Sequence, residues 1–318
     1  MKKLLSIFIV LLMLVGMVSS CQKAKFDGTV NVAVLNGTTG FGMAKLMDDN
    51  ANNKSTNKYE FSIQTDASLI IAGISSGQYD IAALPTNAAA NLYNKTNGGV
   101  QIIAINTLGV LYLLEKGNVV NNISDLANKT VYCPAQNPAF IAKAIFEKNG
   151  INVTIDSTTY PKPDMLREAV AAGLVDYAIL PEPMVTIATK ANSSYKVALD
   201  LTDEWNNVFD DELVQGCVVV RTEFAQNYPG TVNDFLKEYK KSIKYLNENV
   251  EESAAFIKKY GIFANENVAK LAIPNCNVEY MDGKDMKDAM SGFVNAMNDV
   301  APASIGNAIP KDDFYYIP

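Results

Sequence analysis

Two stretches decide the fold: Ile74-Ser75-Ser76-Gly77-Gln78-Tyr79-Asp80-Ile81-Ala82-Ala83-Leu84-Pro85 and Val170-Ala171-Ala172-Gly173-Leu174-Val175-Asp176-Tyr177-Ala178-Ile179-Leu180-Pro181. Gly, Asp, Ala, Leu and Pro keep their places in both. Each copy reads as the end of a helix, a glycine stop, a short buried strand and a proline turn into another helix. Such a strand delivers the loop behind it to the edge of a sheet, and in open α/β sheets ligands bind outside the carboxyl ends of the strands. Two copies predict two similar lobes, each offering one such loop to a shared cleft.

Outward from the repeat, apolar runs alternate with helical patterns, which predicts an α/β architecture. Strands are expected at Val30–Leu35, Phe61–Thr65, Asp80–Leu84, Val100–Ala104, Val110–Leu114, Thr130–Tyr132, Val153–Ile155, Asp176–Leu180, Val197–Leu199 and Cys217–Val220. Helices are expected between them, and the last third reads as nearly all helix. There Met286, Met290, Phe293 and Met297 recur at helical spacing and read as core.

The first residues speak to compartment. Lys2 and Lys3, the apolar run Leu4 to Val18 and the small Ser19 and Ser20 form a secretory signal peptide over 1–20, too short and wrongly flanked for a membrane span. Val18-Ser19-Ser20-Cys21 resembles the bacterial lipobox, so Cys21 is the expected lipidated N-terminus and 21–28 a short tether. The remainder is long enough for two lobes with separate cores.

Composition excludes several function classes. Lys and Arg number 27 against 34 Asp and Glu, a formal net charge of −7, and loss of Lys2 and Lys3 makes the mature body more acidic. That leaves no electrostatic footprint for nucleic acid. There is no histidine, which excludes Ser-His-Asp and Cys-His mechanisms and the usual zinc sites. No catalytic or metal-ligating residue is therefore expected. Cys133, Cys217 and Cys276 lack CxxC spacing and read as buried small apolar residues, with at most one disulfide among them.

Candidate ligand contacts lie where strands end. Gly37, Thr38, Thr39, Gly40 and Phe41 follow the first strand and open a helix, a turn whose backbone N–H groups and hydroxyls suit a polar ligand group. It matches neither the dinucleotide fingerprint nor the P-loop. Thr86 and Asn87 follow the first repeat proline, and Glu182 follows the second. Asn106 and Thr107 end another strand, while Gln136 and Asn137 stand between a strand and a helix of the second lobe. Capping or turn chemistry is the competing role for Thr86, Asn87, Gln136 and Asn137, and a solvated position favoured by the helix dipole is that for Glu182. Trp205 either lines the cleft or packs beneath it.

Together these features resemble the periplasmic-type solute-binding proteins of the nitrate/sulfonate/taurine and thiamine-pyrimidine-precursor group. The lipobox, the Gly37–Lys45 loop-helix and the two repeats carry the resemblance. Asp125-Leu126-Ala127-Asn128-Lys129-Thr130-Val131 supports it, as do Val218-Val219-Val220-Arg221 with Phe224 and Pro229, and the helical last third. It covers essentially Val30 to Pro318.

The resemblance implies a two-lobed periplasmic-binding-protein fold, type II-like, that closes on its ligand by hinge motion. The crossings are expected near Leu111–Lys116 and Gly216–Arg221, with lobe one at 29–114 and 218–310, lobe two at 115–215 and a tail at 311–318. It also implies a monomeric, lipid-anchored, extracytoplasmic component of an ABC importer. Its partners would be a small molecule and the permease and ATPase subunits, with no cofactor and no turnover. Neither Arg167 nor Arg221 falls where a ligand clamp belongs, and Glu182 repels anions. A neutral or amine-bearing heterocycle such as a thiamine pyrimidine precursor is therefore expected ahead of nitrate, a sulfonate or a taurine-like anion. A sensory lipoprotein is an alternative class. An enzyme of thiamine-pyrimidine synthesis is another, disfavoured because the family's enzymes depend on histidine.

Overall fold

The computed structural model describes residues 23–318; the expected signal peptide and Cys21 lie outside the described residues. Its strands are β1 (Thr29–Leu35), β2 (Lys58–Gln64), β3 (Ile81–Pro85), β4 (Val100–Thr107), β5 (Leu111–Lys116), β6 (Thr130–Tyr132), β7 (Thr154–Asp156), β8 (Tyr177–Pro181), β9 (Tyr195–Asp200) and β10 (Gly216–Arg221). They form two five-stranded sheets, ordered β2-β1-β3-β10-β4 and β7-β6-β8-β5-β9. The helices of the first part are α1 (Thr38–Phe41), α2 (Ala44–Ala51), α3 (Ala67–Ser75), α4 (Thr86–Lys95), α5 (Asn137–Lys148), α6 (Pro163–Ala171), α7 (Met184–Ala191) and α8 (Leu201–Asn206). The last part holds α9 (Thr222–Asn227), α10 (Pro229–Glu248), α11 (Val250–Lys259), α12 (Glu266–Ala272) and α13 (Gly283–Val300). The architecture is the expected α/β fold of two lobes. Among the described residues no helix is long and apolar enough to cross a membrane.

The repeat strands β3 and β8 take the same place, third in each sheet. Ile81, Ala82, Ala83 and Leu84 are all buried, as a strand covered on both faces requires. Beside each lies an antiparallel strand that has just arrived from the other lobe. Gly216 of β10 faces Pro85, and Leu111 of β5 faces Pro181. Both crossings of the chain therefore enter next to the proline loops.

Three boundaries differ from the sequence expectation. Leu111–Lys116 and Gly216–Arg221 are strands within sheets, so the chain crosses just before them, at 108–110 and at 207–215. Leu111–Leu114 ladder with β8 and β9 in the second sheet rather than the first; pairing begins at the first residue that reaches a partner. The tail is built into lobe one, with Phe314 and Tyr315 buried and Tyr315 bridged to Ile102. The described end of the tether is docked as well. Phe26 N donates to Thr231 Oγ1 at 2.8 Å, and its ring packs on Tyr228 at 4.9 Å.

Helix α13 joins the lobes, packing on β4 and on α5. Met286, Met290, Phe293 and Met297 are buried along it, as their spacing predicts. Trp205 packs in the same cluster rather than lining the cleft, stacked on Phe209 at 4.0 Å and 6.1 Å from Phe293. Cys133, Cys217 and Cys276 are buried free thiols.

Candidate functional site

The two crossings and the two proline loops are tied together around Gln215 and Val110. Gln215, just ahead of β10, accepts Val110 N at its Oε1 (2.7 Å) and donates its own N–H to Thr107 O (2.9 Å). Its carbonyl accepts Thr86 N at 3.2 Å, while Thr86 Oγ1 donates to Val214 O at 2.8 Å. Glu182 N donates to Val110 O at 3.0 Å. A Cβ on Gly216 would stand 2.5 Å from Asn106 Oδ1, so the close approach of β10 to β4 requires glycine there. Sequence reasoning missed Gln215; its only signal is a lone polar residue before the buried run Cys217–Val220.

The first loop meets the second lobe directly. Gly37 has φ 83°, a conformation that favours glycine, and its N–H donates to Ile262 O at 3.2 Å. Thr38 Oγ1 donates to Glu182 O at 2.8 Å and contacts Cys276 Sγ at 3.7 Å. Thr39 O accepts Asn106 Nδ2 at 3.1 Å, and Asn106 Oδ1 accepts Thr107 Oγ1 at 3.0 Å. Phe41 and Gly40, expected to touch ligand, sit in the lobe-one core. The turn of α1 carries the Phe41 ring inward to within 6.3 Å of Phe263, and a Cβ on Gly40 would meet Leu35 O at 2.2 Å.

Glu182 is 4% exposed. Its carboxylate accepts Thr186 N at 3.1 Å and Thr186 Oγ1 at 2.9 Å. Burial pushes its pKa above the usual carboxylate range, partly offset by those bonds from Thr186. Both guanidinium groups are committed elsewhere: Arg167 to Asp164 and Glu168, Arg221 to Asp80 and Glu223.

Between α4, the N-terminus of α5 and the turn after α13 lies a cleft of about 280 Å³. Asn87, Leu92 and Lys95 wall it from lobe one with Ser304, and Gln136 and Phe140 from lobe two. Asn87 is 6% exposed and Asn137, beside Gln136, is 7% exposed. The Oδ1 atoms of both asparagines and Ser304 Oγ are buried without a hydrogen-bond partner, a costly state unless something else supplies one. A wider hollow of about 550 Å³ at Gly77, Arg221 and Thr222 belongs to lobe one alone, at the far end of β10 from the crossing. The structure thus brings Thr38 against Glu182, Asn106 against both Thr39 and Thr107, and Asn87 and Gln136 into one cleft.

Comparison with solved structures finds the same fold at low identity. An ABC transporter protein from Parabacteroides distasonis is 23% identical with TM-score 0.77, covering 91% of this chain and 99% of that one. The ligand-binding component of an ABC-type import system from Staphylococcus aureus is 15% identical with TM-score 0.70, covering 92% and 97%. The periplasmic aliphatic sulphonate-binding protein SsuA from Escherichia coli is 12% identical with TM-score 0.71, covering 91% and 92%. No curated protein matches the chain by sequence. The likeness to the solved structures extends to fold. The family model that matches is a different one from the group the motifs resemble: the model described as menaquinone biosynthesis aligns with residues 63–295, more than half of the sequence, and the chain belongs to that family.

Proposed function

We propose that the chain captures one small polar molecule between its lobes and presents the closed form to a permease and ATPase, as the lipid-anchored, extracytoplasmic component of an ABC importer. One observation carries this reading: polar groups from both lobes are buried against one another where the proline loops meet, and one buried side-chain oxygen in each lobe, Asn87 Oδ1 and Asn137 Oδ1, has no partner. A group buried unsatisfied on each side is what a site looks like when its ligand completes the hydrogen bonds. The fold shared with named components of ABC import systems supports it.

The charge distribution favours a neutral or amine-bearing heterocycle, of which a thiamine pyrimidine precursor is one. Glu182 is buried at the junction and both arginines are engaged elsewhere. A sulfonate of the kind named for the Escherichia coli protein would have to rely here on helix N-termini and hydroxyls. A second reading rests on the family match: a catalyst of a step in menaquinone biosynthesis. Glu182, with its raised pKa, is then the group at the junction suited to move a proton.

Small-angle scattering tests the capture reading. Protein stripped of ligand by unfolding and refolding should contract when the ligand recovered from the native preparation is returned. Superimposable curves with and without it would contradict closure.

A further inference from the structure

We infer that the segment 23–27 is a fixed strap rather than a loose leash, and that it seats one face of lobe one, at the start of α10, on the membrane surface. The inference rests on the reading of Cys21 as the lipidated residue and adds the orientation in which the anchored protein sits. Its ground is a set of contacts that all go to one lobe. Gly230 N donates to Ala24 O and Phe26 N donates to Thr231 Oγ1, both at 2.8 Å, so the backbone is held at two points. Lys25 Nζ stands 2.6 Å from Asp234 Oδ2. The Phe26 ring packs on Phe224 at 5.5 Å and on Tyr228 at 4.9 Å. A Cβ on Gly230 would stand 2.5 Å from Lys23 O and 2.8 Å from Ala24 O, so glycine at the start of α10 lets the strap lie that close.

Cys21 comes two residues before Lys23. Two residues span at most about 7 Å, about the depth of one headgroup layer. Acyl chains on Cys21 enter the hydrocarbon, so the strap cannot stand further from the bilayer than that reach. A second observation puts an apolar side chain beside the strap. Tyr316 Oη donates to Asn233 Oδ1 at 2.9 Å and lies 3.5 Å from Pro229 O, and the next residue, Ile317, is 56% exposed. An exposed isoleucine there suits the boundary between headgroups and acyl chains. Every strap contact named above is with lobe one. Lobe one is therefore the stationary lobe, and lobe two carries the hinge motion relative to the membrane.

The test uses the full-length chain, processed in a bacterial host and reconstituted in phosphatidylcholine–phosphatidylglycerol vesicles that carry a nitroxide on a lipid headgroup. A fluorophore is placed by Ile317→Cys, beside the strap, or by Leu174→Cys, an exposed site of lobe two. The three buried thiols leave the introduced cysteine as the labelled one. The label at 317 should be strongly quenched and the label at 174 nearly untouched. Inserting about twenty Gly/Ser residues between Gln22 and Lys23, an average reach of roughly 25 Å, should remove most of that contrast. Exchange of the Phe26 amide in the chain that begins at residue 21, with Cys21→Ala, reads the strap without a membrane. It should be at least about tenfold slower than in an unstructured peptide. Exchange at the peptide rate, or a contrast that survives the spacer unchanged, overturns the strap. A membrane-bound chain whose two labels are quenched alike overturns the orientation alone. A full-length chain that does not stay with the vesicles overturns the lipid-anchor reading, and the inference with it.

Discussion

Replacing Thr38 with valine removes one hydroxyl and keeps the shape of the side chain. Thr38 Oγ1 donates to the Glu182 carbonyl across the lobes at 2.8 Å, and Thr38 is buried. Thr38→Val leaves that carbonyl without its donor; the Cys276 thiol, 3.7 Å from the lost hydroxyl, is a weak substitute. The penalty for such an orphaned acceptor is about 1–3 kcal/mol. It falls on the closed form alone, because opening lets water reach the carbonyl. The equilibrium should therefore move towards the open form by about 1–3 kcal/mol, a factor of about 5–150. Ligand affinity should fall by the same factor, since it scales with the competent fraction. Calorimetry with the native ligand measures this, and Trp205, the only tryptophan, reports lobe movement from its seat between Phe209 and Phe293. Thr38→Ser keeps the donor and should bind within about twofold of the parent, a margin of a few tenths of a kcal/mol. Unchanged affinity in a folded Thr38→Val, or equal damage from serine and valine, would refute the reasoning.

Other outcomes follow from the same structure. Glu182 is protonated more readily in the folded protein than in the unfolded chain, so between its ordinary pKa of 4.5 and its raised value the folded form binds more protons and loses stability as pH rises. Chemical-denaturation curves from pH 4 to 8 should show that decline, Glu182→Gln should flatten it, and an amine-bearing ligand should bind Glu182→Gln about ten- to a hundredfold more weakly. The repeat aspartates should behave differently. Asp80 accepts Arg221 Nη2 and Asn31 N, both at 3.0 Å, whereas Asp176 is exposed. Asp80→Ala should cost about 1.5–3 kcal/mol in urea unfolding and Asp176→Ala almost nothing. Cys21→Ala should release the full-length protein from the membrane fraction on cell fractionation; equal retention would remove the lipid anchor from the picture.

The clearest strands were legible because they are short apolar runs closed by a breaker, Asn36 after β1, Gly117 after β5 and the prolines Pro85 and Pro181 that end β3 and β8, and the repeat foretold that β3 and β8 would hold matching places. Which sheet an apolar run joins was not legible. Leu111–Leu114 follow β4 directly, yet only the distant residues of β8 and β9 determine their ladder. At the site, the strand-end loops carrying Thr38, Asn87, Gln136 and Glu182 were legible from position alone. Phe41 was misplaced because a single helical turn can aim its ring at the cleft or the core, and the packing of Phe263 decides. Gln215 and Ser304 were missed because their value lies in contacts far along the chain. An unpartnered atom such as Asn137 Oδ1 has no signature in sequence.

Native mass spectrometry of protein purified without unfolding tests the central claim, capture without chemistry, most directly. One small molecule should travel with each chain, and after prolonged incubation with the protein it should be recovered at unchanged mass. A chain that carries nothing from any expression medium, or that returns the molecule altered, would contradict capture and, in the second case, favour the catalytic reading of the family.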